Sequence, residues 1–284
     1  MAITWGGVET QAYEIIKNLP RGNKSFLVNT FSKVKDMQDR FIKLKKNNKI
    51  YKIKDINSQS SLKIILDIFL FTKQNRIDNI IIYPSNKKMI YVVLGAKIAG
   101  IKNIFMSLQN TLYGKKSFTI LKIKIIFYIF NILGVFFVPA SKAILYSFSK
   151  SKIKLNSHKI IYNSCDFDLI SFQSTKYKQS NVRKKIKNIV MIARLDNIKD
   201  QETLLKAFAN LKESSWRLKF VGNGPNMKSL KRISRKLSLN EEEIFYGSSN
   251  NIPNILAESD IFAFSTTEAE GFGKVLIEAM AAKV

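Results

Sequence analysis

The chain carries one cysteine, one histidine and fewer than half as many acids as bases. The lone Cys165 rules out an intrachain disulfide and suits a reducing compartment. It reads as an ordinary half-buried residue. The lone histidine, His158, lies between Ser157 and Lys159 ahead of a strand-like segment and reads as a loop residue. No Cys/His metal spacing and no Ser/His/Asp constellation can be built from this inventory. The longest apolar run, Ile125 to Ala140, has 16 residues, is broken by Asn131 and Gly134, and has Pro139 near its end. That is short for a membrane span. A buried helix followed by a strand at Val135–Val138 accounts for it. Met1 to Gly7 show neither a charged leader nor an apolar core, so no signal peptide is expected.

What is present is a globular composition: 284 residues, 46% of them hydrophobic, enough for two domains with cores of their own. The net charge of +26 is uneven. Residues 1–187 hold 34 Lys+Arg against 9 Asp+Glu, whereas residues 188–284 hold 13 against 12. A basic first half points to an anionic partner: an acidic membrane surface, a phosphorylated lipid carrier or nucleic acid. Solvated faces without a partner would give the same count.

The expected architecture is α/β, with helices and short apolar strands in alternation. In the first half, helices are expected over Glu9–Leu19, Leu62–Lys73, Tyr91–Ala99, Ser117–Leu133 and Ala140–Ser149, with a weaker one over Lys33–Asn48. Strands are expected at Phe26–Asn29, Asn79–Tyr83, Ile104–Ser107, Val135–Val138 and Lys159–Tyr162. The polar stretch Thr175–Lys185 coincides with the shift in charge and reads as a linker. It separates a basic domain over 1–182 from a second domain over 188–284. In the second domain, strands Ile189–Ala193, Leu218–Val221, Ile244–Tyr246 and Ile261–Ser265 alternate with helices near Glu202–Lys212, Met227–Leu237, Pro253–Ser259 and Lys274–Ala282. Such alternation implies parallel sheets covered by helices, with ligands at the carboxyl ends of the strands.

The stretch Thr267 to Met280 carries the most chemical information. It places Glu270 on a glycine-flanked turn and Glu278 one or two turns into a helix. Gly271 and Gly273 on either side of Phe272 let the backbone turn sharply and approach a ligand closely. A helix starting near Gly273 offers free N–H groups and a positive dipole end, which suit a phosphate. Two acids beside a phosphate cradle can grip the hydroxyls of a ribose and of a sugar. Taken alone, a Gly-x-Gly turn before a helix is common in α/β proteins.

Its neighbours add a pattern. Ile192 to Asp200 contains Arg194 and Lys199, five apart. Phe220-Val221-Gly222-Asn223-Gly224-Pro225 follows, and then Phe245-Tyr246-Gly247 through Asn251-Ile252-Pro253 to Ile261. With Thr267–Met280, these four pieces resemble, in order and separation, the retaining glycosyltransferases of the GT-B fold, family 4. Gly6-Gly7-Val8-Glu9 looks like that family's glycine-rich loop before its first helix. The resemblance implies two Rossmann-like domains facing a cleft. It implies that Arg194 and Lys199 stabilise the departing diphosphate without a metal. It further implies that Glu278 holds the ribose hydroxyls and Glu270 the hydroxyls of the donor sugar. Gly6, Gly7, Gly222, Gly271, Phe272 and Gly273 would complete the donor site. Gln109, in Ser107-Leu108-Gln109-Asn110-Thr111, stands where the family often has an acceptor-side histidine. It can donate a hydrogen bond but cannot titrate near neutrality, and Asn110 lies beside it.

The expected activity is therefore transfer of a sugar, with retention, from a UDP- or GDP-sugar to a polysaccharide or lipid-linked glycan. No other cofactor is called for. The expected location is cytoplasmic, with the basic domain resting on the inner membrane face. Set against the family, the chain is expected to lack its first strand and the later part of its second domain. Three rival readings stay open: an inactive truncated remnant that at most binds nucleotide diphosphates, an epimerase of the same fold, and a basic nucleic-acid binder. The last has no RNA-recognition signature behind it.

Overall fold

A computed structural model describes residues 7–20, 22–23, 25–29, 52–55, 60–83, 87–180, 186–211, 215–249 and 251–284. The chain forms two compact units, residues 1–163 and 164–284. In the first, helix α1 (Gly7–Lys17) leads to β1 (Phe26–Asn29) and β2 (Lys52–Asp55). Then come α2 (Ser61–Gln74), β3 (Asn79–Ile82), α3 (Met89–Ile98), β4 (Asn103–Leu108), α4 (Ser117–Ile132), β5 (Phe136–Pro139) and α5 (Lys142–Lys150). Strands β1 and β2 pair in parallel, and β3-β4-β5 form a second parallel sheet. Central β4 is buried along most of its length, as a strand covered on both faces must be. Phe127 of α4 stacks on Phe137 of β5 at 5.4 Å and meets Phe148 edge-on at 4.9 Å, fixing α4 and α5 to the sheet.

The second unit contains α6 (Phe167–Ser180), β6 (Lys187–Ile192), α7 (Gln201–Ala209), β7 (Trp216–Val221) and α8 (Met227–Lys236). It continues with α9 (Glu241–Ile244), β8 (Phe245–Gly247), α10 (Ile252–Ala257), β9 (Ile261–Phe262) and α11 (Lys274–Ala281). Its sheet is parallel throughout, in the order β8-β7-β6-β9. One apolar cluster around Met191, Leu205, Leu218 and Phe220 fills one side, and another around Val190, Val221, Leu256 and Ala279 fills the other. Alternating residues of β6 and β7 thus serve opposite layers.

Three expectations change. Thr175–Ser180 is not linker but the end of α6. That helix packs on its own unit: the Ser174 hydroxyl donates to the Pro253 carbonyl at 3.1 Å, and the Lys178 ammonium to the Ala282 carbonyl at 3.1 Å. The division therefore falls at Asn163/Ser164, ahead of the helix. Only Ile170 and Ser174 of α6 are buried, so its sequence reads as polar. Lys159–Tyr162 is extended beside β5 rather than a regular strand. Lys159 N–H donates to the Phe137 carbonyl and Ile161 N–H to that of Pro139, both at 3.1 Å, and the one bridge is Phe137 with His158. Gly7 opens α1 instead of preceding it. The expected helix over Lys33–Asn48 lies outside the described residues, as does Gly6.

Candidate donor site

The candidate site lies at the carboxyl end of the second sheet and is built on one buried carboxylate. Beyond β6 the chain passes Arg194 and turns at Asp196, which is 8% exposed. Asp196 Oδ1 accepts the N–H groups of Ile198 at 3.0 Å and Lys199 at 3.3 Å, the Asx geometry that holds a tight turn. Its Oδ2 accepts Arg194 Nε at 2.6 Å and pairs with a second guanidinium nitrogen at 2.5 Å. Gln201, at the start of α7 and 1% exposed, donates to the Arg194 carbonyl at 3.0 Å. Asp196, between the two cations, and Gln201, after them, thus fix the backbone that carries the basic pair. Asp200 between them takes a left-handed conformation, φ 42°, to reverse the chain into α7.

The loop after β9 is laced to this turn. Ser265 Oγ donates to the Asp200 carbonyl at 2.9 Å. Thr266 Oγ1 and Thr267 N–H both donate to the Ile198 carbonyl, at 3.0 and 2.8 Å. That lacing brings Lys199 to Glu270, and the two side chains form an ion pair. Lys199 Nζ also lies 4.9 Å from the ring centre of Phe264. The other oxygen of Glu270 accepts the N–H of Gly273 at 3.0 Å. Gly273, left-handed at φ 69°, is the N-cap of α11, so the carboxylate occupies the positive end of that helix. One turn on, Glu278 faces Lys274 at 3.7 Å. Burial pushes the Glu278 carboxyl above its ordinary range, and Lys274 pulls it partway back.

Gly222 and Gly224 let the ends of β6 and β7 meet. A β-carbon on Gly222 would sit 2.0 Å from the Ala193 carbonyl oxygen, and one on Gly224 2.2 Å from that of Leu195. In their absence, Leu195 N–H donates to the Asn223 carbonyl at 3.1 Å and Asn226 N–H to that of Leu195 at 3.0 Å.

Of the residues expected from the sequence, Lys199, Glu270 and Gly273 are thus in direct contact, and Arg194 joins them through Asp196 and its turn. Gly271 is buried, Phe272 half-buried, and Glu278 sits on the helix that Glu270 caps. Gln109 and Asn110 belong to the first unit, as does Gly7. Gln109 exchanges amide hydrogen bonds with Asn163, at 2.8 and 3.4 Å, and donates to Ser107 Oγ at 2.6 Å. Together with Asn110, Thr111 and Lys115 it borders a cavity of about 180 Å³. His158 is exposed, and the Cys165 thiol lies half-buried near the Ile277 carbonyl. The sequence reading passed over Asp196, Gln201 and Lys274. Asp196 had left a signal, because an aspartate followed by an asparagine just past a strand is turn chemistry.

Residues 172–284 match the family of glycosyl transferases group 1. A relative from Campylobacter jejuni, N-acetylgalactosamine-N,N'-diacetylbacillosaminyl-diphospho-undecaprenol 4-alpha-N-acetylgalactosaminyltransferase, is 28% identical over 199 residues, or 67% of this chain. The chain spans about half of that protein's length, 52%. N-acetyl-alpha-D-glucosaminyl L-malate synthase of Bacillus anthracis is 30% identical over 108 residues, 38% of this chain and 28% of that protein. Among solved structures, Anabaena Alr3699/HepE in complex with UDP-glucose aligns with a TM-score of 0.79 at 19% identity, covering 98% of this chain and 76% of that one. The turn at Asp196, Gly222 and Gly224 just past β7, and the capped α11 thus fall within the matched region. The family match is carried by residues 172–284, and the likeness to the Anabaena structure extends the GT-B fold over nearly the whole chain.

Proposed function

We infer that the chain serves a glycosyltransferase that moves a sugar, with retention, from a nucleoside diphosphate donor to a polysaccharide or lipid-linked glycan. The observation that carries this reading is the Lys199–Glu270–Gly273 contact: a cation, a carboxylate and a helix N-terminus converge at the strand ends. Lys199 and Arg194 meet the diphosphate, whose negative charge grows as the glycosidic bond breaks. Cations held in place stabilise that state above the ground state. Arg194 is suited to a bidentate grip, and Lys199 acts as a point charge. Glu278 accepts from the ribose hydroxyls, and Glu270 from those of the sugar. The donor phosphate takes the acceptor's proton, so no protein base is needed on that face. The UDP-glucose in the Anabaena neighbour and the diphospho-undecaprenol acceptor in the Campylobacter relative's name support the donor and acceptor classes.

Calorimetric titration with UDP and GDP tests the donor site. Arg194→Ala and Glu278→Ala should each abolish binding of the preferred nucleotide. If both variants bind it as tightly as the wild-type chain, the assignment is wrong. Incubation with donor alone separates transfer from epimerisation, since an epimerase changes the sugar without any acceptor.

A further inference from the structure

Helix α4 is largely apolar, yet one apolar face is uncovered. Its inner face, through Phe127 and Phe130, closes the core of the first unit. On the outer face Phe118 is 68% exposed, Leu121 and Ile125 each 55%, Tyr128 66% and Ile132 67%. These residues recur every three or four positions, so they form a single stripe along the helix. An apolar stripe of this length is not the ordinary exposure of single residues; it marks a surface that something covers.

Charge selects the occupant. Between Asp78 and Asp166 the chain holds thirteen lysines and no aspartate or glutamate. Lys115 and Lys116 lie just before α4, Lys122 and Lys124 on it, and all four are exposed. Lys122 Nζ lies 4.2 Å from the ring centre of Phe118, its stem along the stripe and its charge at the rim. A second copy of this face would bring lysines against lysines. An anionic lipid surface offers apolar depth for the stripe and negative headgroups for the rim. Among the described residues no helix is long and apolar enough to cross a membrane, so contact would be in the plane of the interface. We propose that the outer face of α4 docks the chain on an anionic bilayer, with Phe118, Leu121, Ile125, Tyr128 and Ile132 entering the interface and the neighbouring lysines meeting headgroups. This surface belongs to the first unit and the candidate donor site to the second, and its test reads no sugar transfer.

The test is flotation of the purified chain with vesicles of phosphatidylcholine mixed with phosphatidylglycerol, against phosphatidylcholine alone. Wild type should float with the mixed vesicles and far less with the neutral ones. Leu121→Ser with Ile125→Ser should weaken binding by about a hundredfold, the transfer cost of two apolar side chains. Lys122→Gln with Lys124→Gln should weaken it by about twentyfold on anionic vesicles only, and added salt should mimic that loss. The melting temperature of each variant is read in parallel and should stay at the wild-type value, because these side chains are exposed. Failure of wild type to float, or vesicle binding indifferent to the stripe, overturns the proposal. A drop in melting temperature for the serine variant would mean that the protein itself covers the stripe. Loss of a dimer in sedimentation would assign the face to a second copy. Either result also overturns the proposal.

Discussion

Lys199 and Glu270, 71 positions apart in the chain, are ion partners, each with a side chain 19% exposed. The pair joins two loops that the sequence connects only through most of a domain. If both residues serve the donor, the diphosphate must draw Lys199 away from Glu270, and the sugar must replace it on the carboxylate.

That exchange gives the first prediction. Glu270→Gln keeps an acceptor for the Gly273 N–H but releases Lys199. Calorimetry should find UDP bound at least as tightly as by wild type, while transfer falls by about a hundredfold or more. Lys199→Met should lose affinity for UDP itself. Equal losses of UDP affinity in both variants would show that the pair acts on the fold alone.

Asp196 separates structural from electrostatic roles. Asp196→Ala leaves two turn amides and a guanidinium without their acceptor and should cost about 1–3 kcal/mol in urea denaturation. Asp196→Asn keeps the amide contacts and drops the charge. It should retain most of that stability while Arg194 loses its hold. An Asn variant as unstable as the Ala variant would mean that the ion pair, not the turn, dominates.

The glycines differ in what surrounds them. Gly222→Ala should prevent residues 164–284 from folding, because the new methyl would overlap the Ala193 carbonyl at 2.0 Å and φ is 143°. Gly247→Ala faces open space at φ 79° and should cost about 1–2 kcal/mol for the left-handed backbone alone. Circular dichroism melts of the two variants rank them directly, and similar melting temperatures would overturn the packing argument.

Glu278 predicts opposite pH slopes for stability and for binding. Its native carboxyl is held above the ordinary value of 4.5. The native state therefore keeps this proton where the unfolded chain has released it. The stability contribution is full below the unfolded value and is lost as pH rises through the native one. Nucleotide binding runs the other way, since the ionised carboxylate is the acceptor for ribose hydroxyls. Melting temperature should fall, and UDP affinity rise, over the same pH window. Glu278→Gln should flatten both slopes. If UDP affinity keeps its pH slope in that variant, another group is titrating.

Most elements were legible in the sequence because their signals are local. Phe26–Asn29 forms the expected strand, and the helix expected over Leu62–Lys73 runs Ser61–Gln74. The helix expected over Lys274–Ala282 ends one residue earlier. Apolar period, glycine and capping chemistry all act within a few residues. Helix α6 was missed for a physical reason: with only Ile170 and Ser174 buried, its apolar stripe is too thin to stand out, and its packing partners lie in α10 and α11.

The sequence by itself determined the α/β alternation and the spacing of Arg194, Lys199, Glu270 and Glu278. Tertiary structure decided that Asp196 anchors the turn, that Lys199 and Glu270 bind each other, and that the domain boundary falls before α6. It also decided which side of α4 is bare. Leu, Ile, Phe and Tyr make up most of that helix, so its sequence gives only a weak direction, and packing against the sheet selects the face left open.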